Sequence, residues 1–411
     1  GREFQWGAIV ALSGADGSEL WRHEIADESY ATPCLIDVDG DGDLVVVSGR
    51  RVGPRSGLVA MDGKTGERIW GLHGANPTGD IPALHFNTCV PCPDVDGDGL
   101  GDLLALQGGG DDAAREAGRL HITKSDTGAI LRTVPTPDGL ETFFVPSIER
   151  LPGEPPRWRV LMATGGETLP GNVFSLDFPE LIERWRFSSG PKKGFVGSGI
   201  LHDFDGEGRD AVVSAFNSVM SRIDGETGEL VWQLRHKRCE TYVTPTPGHF
   251  GGGESLDLVS LFSEGRWPSY RTRNVLQWVD GETGAVIDER DRGVQASSSP
   301  VVFDMNGDGW DEVLLVSNLS FGMNKKEVLC QLDLFDGGPG KALLATRQFM
   351  GYSAATPWIG HLDDDGVMDV IFVHLNNVYR LALGDVPAEA ISWNQYRGPD
   401  QDGTVPPRSW R

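Results

Sequence analysis

An all-β chain of repeated four-stranded blades is the fold this sequence predicts, and three observations carry the prediction. A carboxylate-glycine loop led in by small-x-Pro recurs along the chain, and a second unit, Asp-x-x-Thr-Gly between two apolar runs, alternates with it. The third is punctuation: 55 Gly and 25 Pro are dispersed through 411 residues, a density that suits many short strands joined by turns. The apolar runs are short and rich in Val, Ile and Leu, which also favours strands over helices.

The loop unit appears at Asp37-Val38-Asp39-Gly40-Asp41-Gly42, Asp94-Val95-Asp96-Gly97-Asp98-Gly99, Asp203-Phe204-Asp205-Gly206-Glu207-Gly208, Asp304-Met305-Asn306-Gly307-Asp308-Gly309 and His361-Leu362-Asp363-Asp364-Asp365-Gly366. Worn copies start at Glu149 and His249. The first loop positions, 37, 94, 149, 203, 249, 304 and 361, are separated by 57, 55, 54, 46, 55 and 57 residues. The hairpin unit is clearest from Leu58 to Trp70, around Asp62-Gly63-Lys64-Thr65-Gly66. It recurs at Ile9 to Trp21, at Ser125-Asp126-Thr127-Gly128, at Asp224 to Trp232 and at Asp280 to Ile287. Each period thus holds two hairpins, and four antiparallel strands repeated radially describe a propeller blade. One blade cannot bury both faces and must stack on its neighbours. The expected fold is a seven-bladed β-propeller, with eight blades as the alternative. Expected blades span 29–80, 81–140, 141–192, 193–238, 239–294, 295–352 and 353–398, with a tail at 399–411. Residues 1–28 are expected to complete the last blade, whose own partial outer unit runs from Val378 to Trp393.

Alternating carboxylates with a sharp glycine turn suit a hard cation, since Ca²⁺ takes about six to eight oxygens at roughly 2.3–2.6 Å. Asp94, Asp96, Asp98 and Asp102 fill positions one, three, five and nine, and Asp304, Asn306, Asp308 and Glu312 do so with conservative replacements. Asp363, Asp365 and Asp369 keep three positions behind His361. Two copies are shortened: Asp37, Asp39 and Asp41 run directly into Asp43, and Asp203, Asp205 and Glu207 precede Asp210. The expectation is about three to five structural Ca²⁺ ions, because clustered carboxylates repel unless a cation neutralises them. An EF-hand would need flanking helices and Glu at position twelve, and the flanks here are Pro-led strands.

Charge narrows the partners. With 36 Lys+Arg against 60 Asp+Glu the formal charge is −24, which argues against nucleic acid and anionic lipid as partners. No apolar run is long enough to span a membrane as a helix, and residues 1–6 hold no apolar signal-peptide core, so a processed or excised domain is expected. Five cysteines, Cys34, Cys89, Cys92, Cys239 and Cys330, are read as small apolar strand residues; Cys89 and Cys92 lack a second pair to complete a zinc site.

The loop unit resembles the FG-GAP/VCBS repeat of integrin α-subunit propellers and many bacterial surface proteins. The hairpin unit resembles the PQQ-like repeat shared by quinoprotein dehydrogenases and the outer-membrane assembly lipoprotein of the Bam complex. The tail Trp393-Asn394-Gln395-Tyr396-Arg397-Gly398 looks like a segment of such bacterial propellers. The resemblance implies that Thr-Gly…Trp docks one blade on the next, with Trp21, Trp70, Trp185 and Trp232 as packing residues. Quinoprotein dehydrogenases of this kind are larger rings with a vicinal disulfide; no adjacent cysteines occur here, so no PQQ is expected.

No His-Glu-x-x-His and no Gly-x-Ser-x-Gly motif is present. The leading expectation is a non-enzymatic, calcium-stabilised propeller in an extracellular, cell-surface or periplasmic setting, acting as a protein-interaction or scaffold module. Alternatives are a lectin-like propeller, with Trp267, Tyr270, Trp310 and Trp358 stacking on sugars, and a calcium-dependent polysaccharide lyase or quinoprotein-like enzyme. For a lyase base, Lys192, Lys193 and Arg266 to Arg273 are the candidates. The basic-aromatic insert Arg266, Trp267, Tyr270, Arg271 and Arg273 is the candidate partner site, since Arg, Trp and Tyr are enriched at interface hot spots.

Overall fold

The computed structural model describes the chain except residues 1–6, 26–31, 51–56, 74–84, 109–116, 154, 189, 191–192, 207–209, 216, 254, 267–268, 293–297, 320–328, 364, 375–376, 388–389 and 400–411. Six meanders of four strands follow one another among the described residues. They run from Cys34–Asp37 to Arg68–His73, from His85–Cys92 to Ile130–Pro135, from Ser147–Leu151 to Ile182–Ser188, from Ile200–His202 to Leu230–Arg235, from Thr246–Gly248 to Val286–Asp291 and from Val301–Phe303 to Leu343–Met350. A three-stranded sheet, Trp358–Gly360, Met368–His374 and Asn377–Gly384, comes after them; Gly7–Leu12 and Glu19–Ile25 form a two-stranded one. Neighbouring strands run antiparallel, as in Cys34↔Val47 and Val45↔Asp62. The chain divides into two compact units, residues 1–165 with 176–183, and residues 166–175 with 184–411.

The Asp-x-x-Thr-Gly hairpins close themselves. Asp62 Oδ1 accepts from the amides of Lys64 (2.9 Å) and Thr65 (2.7 Å) and from the Thr65 hydroxyl (2.9 Å), and Gly66 returns its N–H to the Asp62 carbonyl at 2.8 Å. Asp224 and Asp280 repeat the arrangement on Thr227 and Thr283. This is the Asx turn, in which a short carboxylate mimics the backbone. The glycine at its end has a second duty. Indole N–H groups from the preceding outer strand reach each hairpin: Trp21 to the Gly63 carbonyl (2.8 Å), Trp70 to Ser125 (2.7 Å), Trp185 to Gly225 (2.8 Å) and Trp232 to Gly281 (3.0 Å). Their rings lie so close that a Cβ on Gly66, Gly128, Gly228 or Gly284 would fall 2.5–2.8 Å from the indole. The docking role expected of these four tryptophans is therefore what the structure shows.

Inside the second unit the small-x-Pro segments explain themselves in the same way. The amide of Ser198 donates to Thr244 Oγ1 (3.2 Å), that of Thr244 to Ser299 Oγ (3.0 Å) and that of Ser299 to Thr356 Oγ1 (3.1 Å). The separations, 46, 55 and 57 residues, match the repeat intervals. A small hydroxyl side chain suits these positions, since Ser198, Thr244 and Ser299 are buried and Thr356 is half-buried.

One expectation is corrected. Val378 to Trp393 is not an outer hairpin of the last repeat: Asn377–Gly384 is its third strand, but Ile391–Trp393 pairs with Val301–Phe303 of the preceding meander. The Asn394 carbonyl also accepts from the Ile359 amide at 3.0 Å. The pairing buries the indole, leaving Trp393 1% exposed, and buried aromatic area is a major part of core energetics. The core of this unit surrounds Phe204, Phe262, Trp278 and Phe335; that of the first gathers Ile36, Val47, Leu58, Trp70 and Leu103.

Two predictions follow from this packing. Gly284→Ala should destabilise the chain by about 3 kcal/mol, from positive-φ strain plus overpacking on Trp232, whereas Gly139→Ala, with φ +70° and no atom within 4 Å, should cost about 1 kcal/mol; urea denaturation of both checks the difference. His121 is fully buried between Thr133 Oγ1 (2.9 Å) and Gln107 Oε1 (3.1 Å), and burial pushes its pKa down from 6.5 to about 4. The unfolded chain binds this proton first, so the stability is present above pH 6.5 and is lost as pH falls toward about 4. The loss is about 3 kcal/mol, and His121→Gln should flatten that part of the stability–pH curve.

Candidate functional site

Each acidic loop folds as a chain of carboxylate-capped turns between the first two strands of its repeat. Asp94 accepts from the amides of Gly97 (2.7 Å) and Gly99 (2.8 Å), Asp96 from Asp98 (3.3 Å), Asp98 from Leu100 (2.9 Å) and Asp102 from Val95 (2.8 Å). Asp37 and Asp304 cap their loops alike, on Gly40 and Gly42 and on Gly307 and Gly309. The spacing thus turns the side chains inward: one oxygen each from Asp37, Asp39 and Asp41, and one each from Asp94, Asp96 and Asp102, lie within 4.8 Å of one another. The closing carboxylates Asp102, Asp210, Glu312 and Asp369 are buried while the early positions are exposed or half-exposed. Burial raises the pKa of Asp102 and Asp210, and that of Glu312 to about 7.

Basic side chains enter most of these loops. Lys124 Nζ lies 2.7 Å from Asp96 and also contacts Asp98. Arg222, 1% exposed, places Nε 2.5 Å from Asp210 and a terminal nitrogen on Asp205, while its other terminal nitrogen donates to the Glu282 carbonyl at 3.0 Å and its face covers Phe204. Arg380 meets Asp369 (2.6 Å), Asp363 (2.8 Å) and Asp365 (3.7 Å). Lys64 takes Asp43 at 2.5 Å. Even the worn copies follow: Arg159 pairs with the buried Glu149, and Lys341 donates to the Phe250 carbonyl at 2.5 Å.

The loop of Asp304, Asn306, Asp308 and Glu312 differs. Among the described residues no Lys, Arg or His nitrogen pairs with its carboxylates. Glu312 is 0% exposed; its Oε2 accepts from the Met305 amide at 2.6 Å, and its buried Oε1 accepts nothing. Its donors are of the type an oxygen-preferring divalent cation takes, but among the described residues only the Asp37-Asp39-Asp41 and Asp94-Asp96-Asp102 sets bring three side-chain oxygens within 4.8 Å of one another. The loops of Arg222 and Arg380 do not fit such a cation, since a guanidinium stands among their carboxylates.

Glu207 and Trp267 lie outside the described residues, as do the side chains of Arg266, Tyr270 and Arg271. Their insert is a ribbon of two long strands, Asp257–Arg266 and Ser269–Val279. Arg273 of that insert pairs within its own sheet, with Asp291 at 2.5 Å and Glu289 at 2.8 Å. Trp310 packs on Gly252, with Lys341 Nζ 5.2 Å from its ring. No disulfide joins the five cysteines; Cys89 and Cys92 are buried in a strand, and burial with the nearby Asp102 charge pushes the Cys92 thiol up. The loop bases were missed from sequence, although Lys124 carried a signal: it stands where the other hairpins have Asp62, Asp224 and Asp280.

A family model described as the FAM234A/B β-propeller matches residues 6–131, which hold the loops of Asp37 and Asp94. FAM234A of Mus musculus is 37% identical over 98 residues, 24% of this chain and 18% of that protein. The chain matches about a fifth of the length of such curated relatives, which are vertebrate rather than bacterial proteins. Among solved structures, BamB from Moraxella catarrhalis has a TM-score of 0.54 at 13% identity, covering 91% of this chain and 93% of that one. A europium-containing methanol dehydrogenase reaches 0.55 at 13%, covering 89% and 78%. With the meanders described above, these likenesses establish an all-β propeller fold.

The buried guanidinium generates a sharp expectation. Arg222→Gln should lower stability by about 3–5 kcal/mol, because Asp210 is left buried without its counter-charge. Arg222→Gln with Asp210→Asn should recover part of that loss. Denaturant titrations of the three variants form the double-mutant cycle that checks it.

Proposed function

We propose that this chain is a non-enzymatic interaction module, an extracytoplasmic β-propeller whose acidic turns are stabilised by calcium. The observation that supports it best is how the groups capable of chemistry are engaged. His121 is held by Thr133 and Gln107, His249 by Asp311, His236 by Gln277, and Arg159 and Arg222 by buried carboxylates. His121 and Arg159 are engaged within their own repeats, and His236, His249 and Arg222 reach a neighbouring one. What the propeller offers outward is charge: exposed acidic turns on a chain of net charge −24, a surface that steers basic protein partners and weakens its hold as salt rises. Extracytoplasmic calcium, at millimolar levels, fills loops of modest affinity, which supports placing the module outside the cytoplasm. The similarity to FAM234A and to BamB is compatible with such a role and extends only to the fold.

The test is thermal unfolding in millimolar Ca²⁺ and after exhaustive EGTA, with bound calcium counted by elemental analysis. Bound calcium and a melting temperature higher by about 3 °C or more would support the stabilised module. No bound calcium and an unchanged melting temperature would remove calcium and the argument for location together. For the interaction role, salt-sensitive binding to an array of basic proteins is expected; binding to glycans alone would favour the lectin-like alternative.

A further inference from the structure

We infer that the turn from Asp304 to Gly309 is a self-modifying site: the Gly307 amide attacks the Asn306 side chain, ammonia leaves, and water opens the resulting ring to an aspartyl or isoaspartyl residue. Neither calcium nor a partner takes part, so the inference stands apart from the function proposed above.

Asn306-Gly307 is the one Asn-Gly pair in the sequence. Ring closure brings the following backbone nitrogen onto the side-chain carbonyl carbon, and glycine hinders that approach least because it has no Cβ. Both residues are exposed, so water reaches the reacting atoms. Gly307 has φ +72° and open space where a Cβ would stand.

The turn adds two aids to this approach. A base stands on the nucleophile: the Gly307 N–H donates to Asp304 Oδ1 at 2.8 Å, the reach that general-base transfer needs. A donor stands where negative charge develops: the Asp308 N–H donates to Asn306 Oδ1 at 2.9 Å and is shared with Asp304 Oδ1 at 3.1 Å. Asn306 Nδ2 donates to Asp308 Oδ2 at 3.1 Å. That contact fixes the amide's orientation, since the opposite flip would set oxygen against a carboxylate.

In the first step Gly307 N bonds to Asn306 Cγ and its proton passes to Asp304. The Cγ–Nδ2 bond breaks, and ammonia departs with that proton. Water then adds to the cyclic imide. Cleavage of the Cγ–N bond gives aspartate, and cleavage of the backbone C–N bond gives isoaspartate. The aspartate product has precedents in this fold, because Asp39 and Asp96 hold the same turn position and accept from the Asp41 and Asp98 amides at 3.3 Å. It also adds a negative charge to a chain already at −24. The isoaspartyl product lengthens the backbone by a methylene and draws the Gly307 amide off Asp304.

The experiment incubates the full chain at neutral pH in EGTA and heavy-oxygen water, and follows residue 306 by peptide mass mapping, with Asn306→Asp marking the aspartate product. A guanidinium-unfolded sample is run beside it. The folded chain is expected to lose the amide at least as fast as the unfolded one, taking up heavy oxygen at residue 306. Asp304→Ser, with its fold checked by circular dichroism, should slow the loss several-fold. A folded chain that reacts several-fold slower than the unfolded one would show that the turn protects Asn306 and would overturn the inference. An unchanged or faster loss in folded Asp304→Ser would overturn the role of Asp304 as base. If Asp304→Ser fails to fold, the comparison of folded with unfolded unmodified chain still decides.

Discussion

The fit of an indole onto a glycine is the constraint from which the rest of the structure hangs. A meander of four strands buries one face against each neighbour, and what sets the stacking of successive meanders is a tryptophan on an outer strand seated on the next hairpin. Trp70 shows the geometry: its N–H reaches the Ser125 carbonyl, and its ring covers Gly128 where any side chain would collide. The hydrogen bond selects the orientation, the absent Cβ permits the approach, and the aromatic area supplies the burial. Where the tryptophan is missing another contact serves. Arg290, near the Trp position of its outer strand, donates to the Gly340 carbonyl of the following hairpin at 2.9 Å.

Charge is handled with the same economy of parts. A chain of net charge −24 concentrates carboxylates at turns, where repulsion would splay the strands they join. The basic side chains that answer them come from a neighbouring strand or hairpin of the same repeat, as with Lys124 and Arg222; where the turn from His249 has lost its carboxylates, Lys341 of the next repeat donates to the Phe250 carbonyl instead. The buried pairs are not large net stabilisers, because desolvation offsets much of the attraction. Their effect is positional: a carboxylate that has to meet a guanidinium has one register in which it can do so.

Features with a fixed spacing were legible in the sequence, and features that depend on side-chain reach were not. The repeat interval, the Asp-x-x-Thr-Gly hairpin and the acidic turn all appear as patterns because backbone geometry demands a residue type at a set position. The four docking tryptophans are legible for the same reason. The bases in the turns are not: Lys124 replaces a hairpin aspartate, Arg222 sits two residues before one, and Arg380 belongs to a repeat lacking the hairpin motif. Long flexible side chains converge on one point from unrelated positions, so no spacing betrays them. The final strand was misjudged because Ile391–Trp393 pairs with Val301–Phe303, far back in sequence, and periodicity reports only local pairing.

The hydroxyl contacts among Ser198, Thr244, Ser299 and Thr356 carry a kinetic consequence. Each closes a loop of 46, 55 or 57 residues, and loop-closure entropy grows only with the logarithm of length, so the three closures differ by about 0.2 kcal/mol. None is privileged as a nucleus. Growth of the second unit can begin at any of these rungs and spread by nearest-neighbour docking, as in a one-dimensional lattice, and its melting should retreat inward from whichever repeat has the weakest contact with its neighbour.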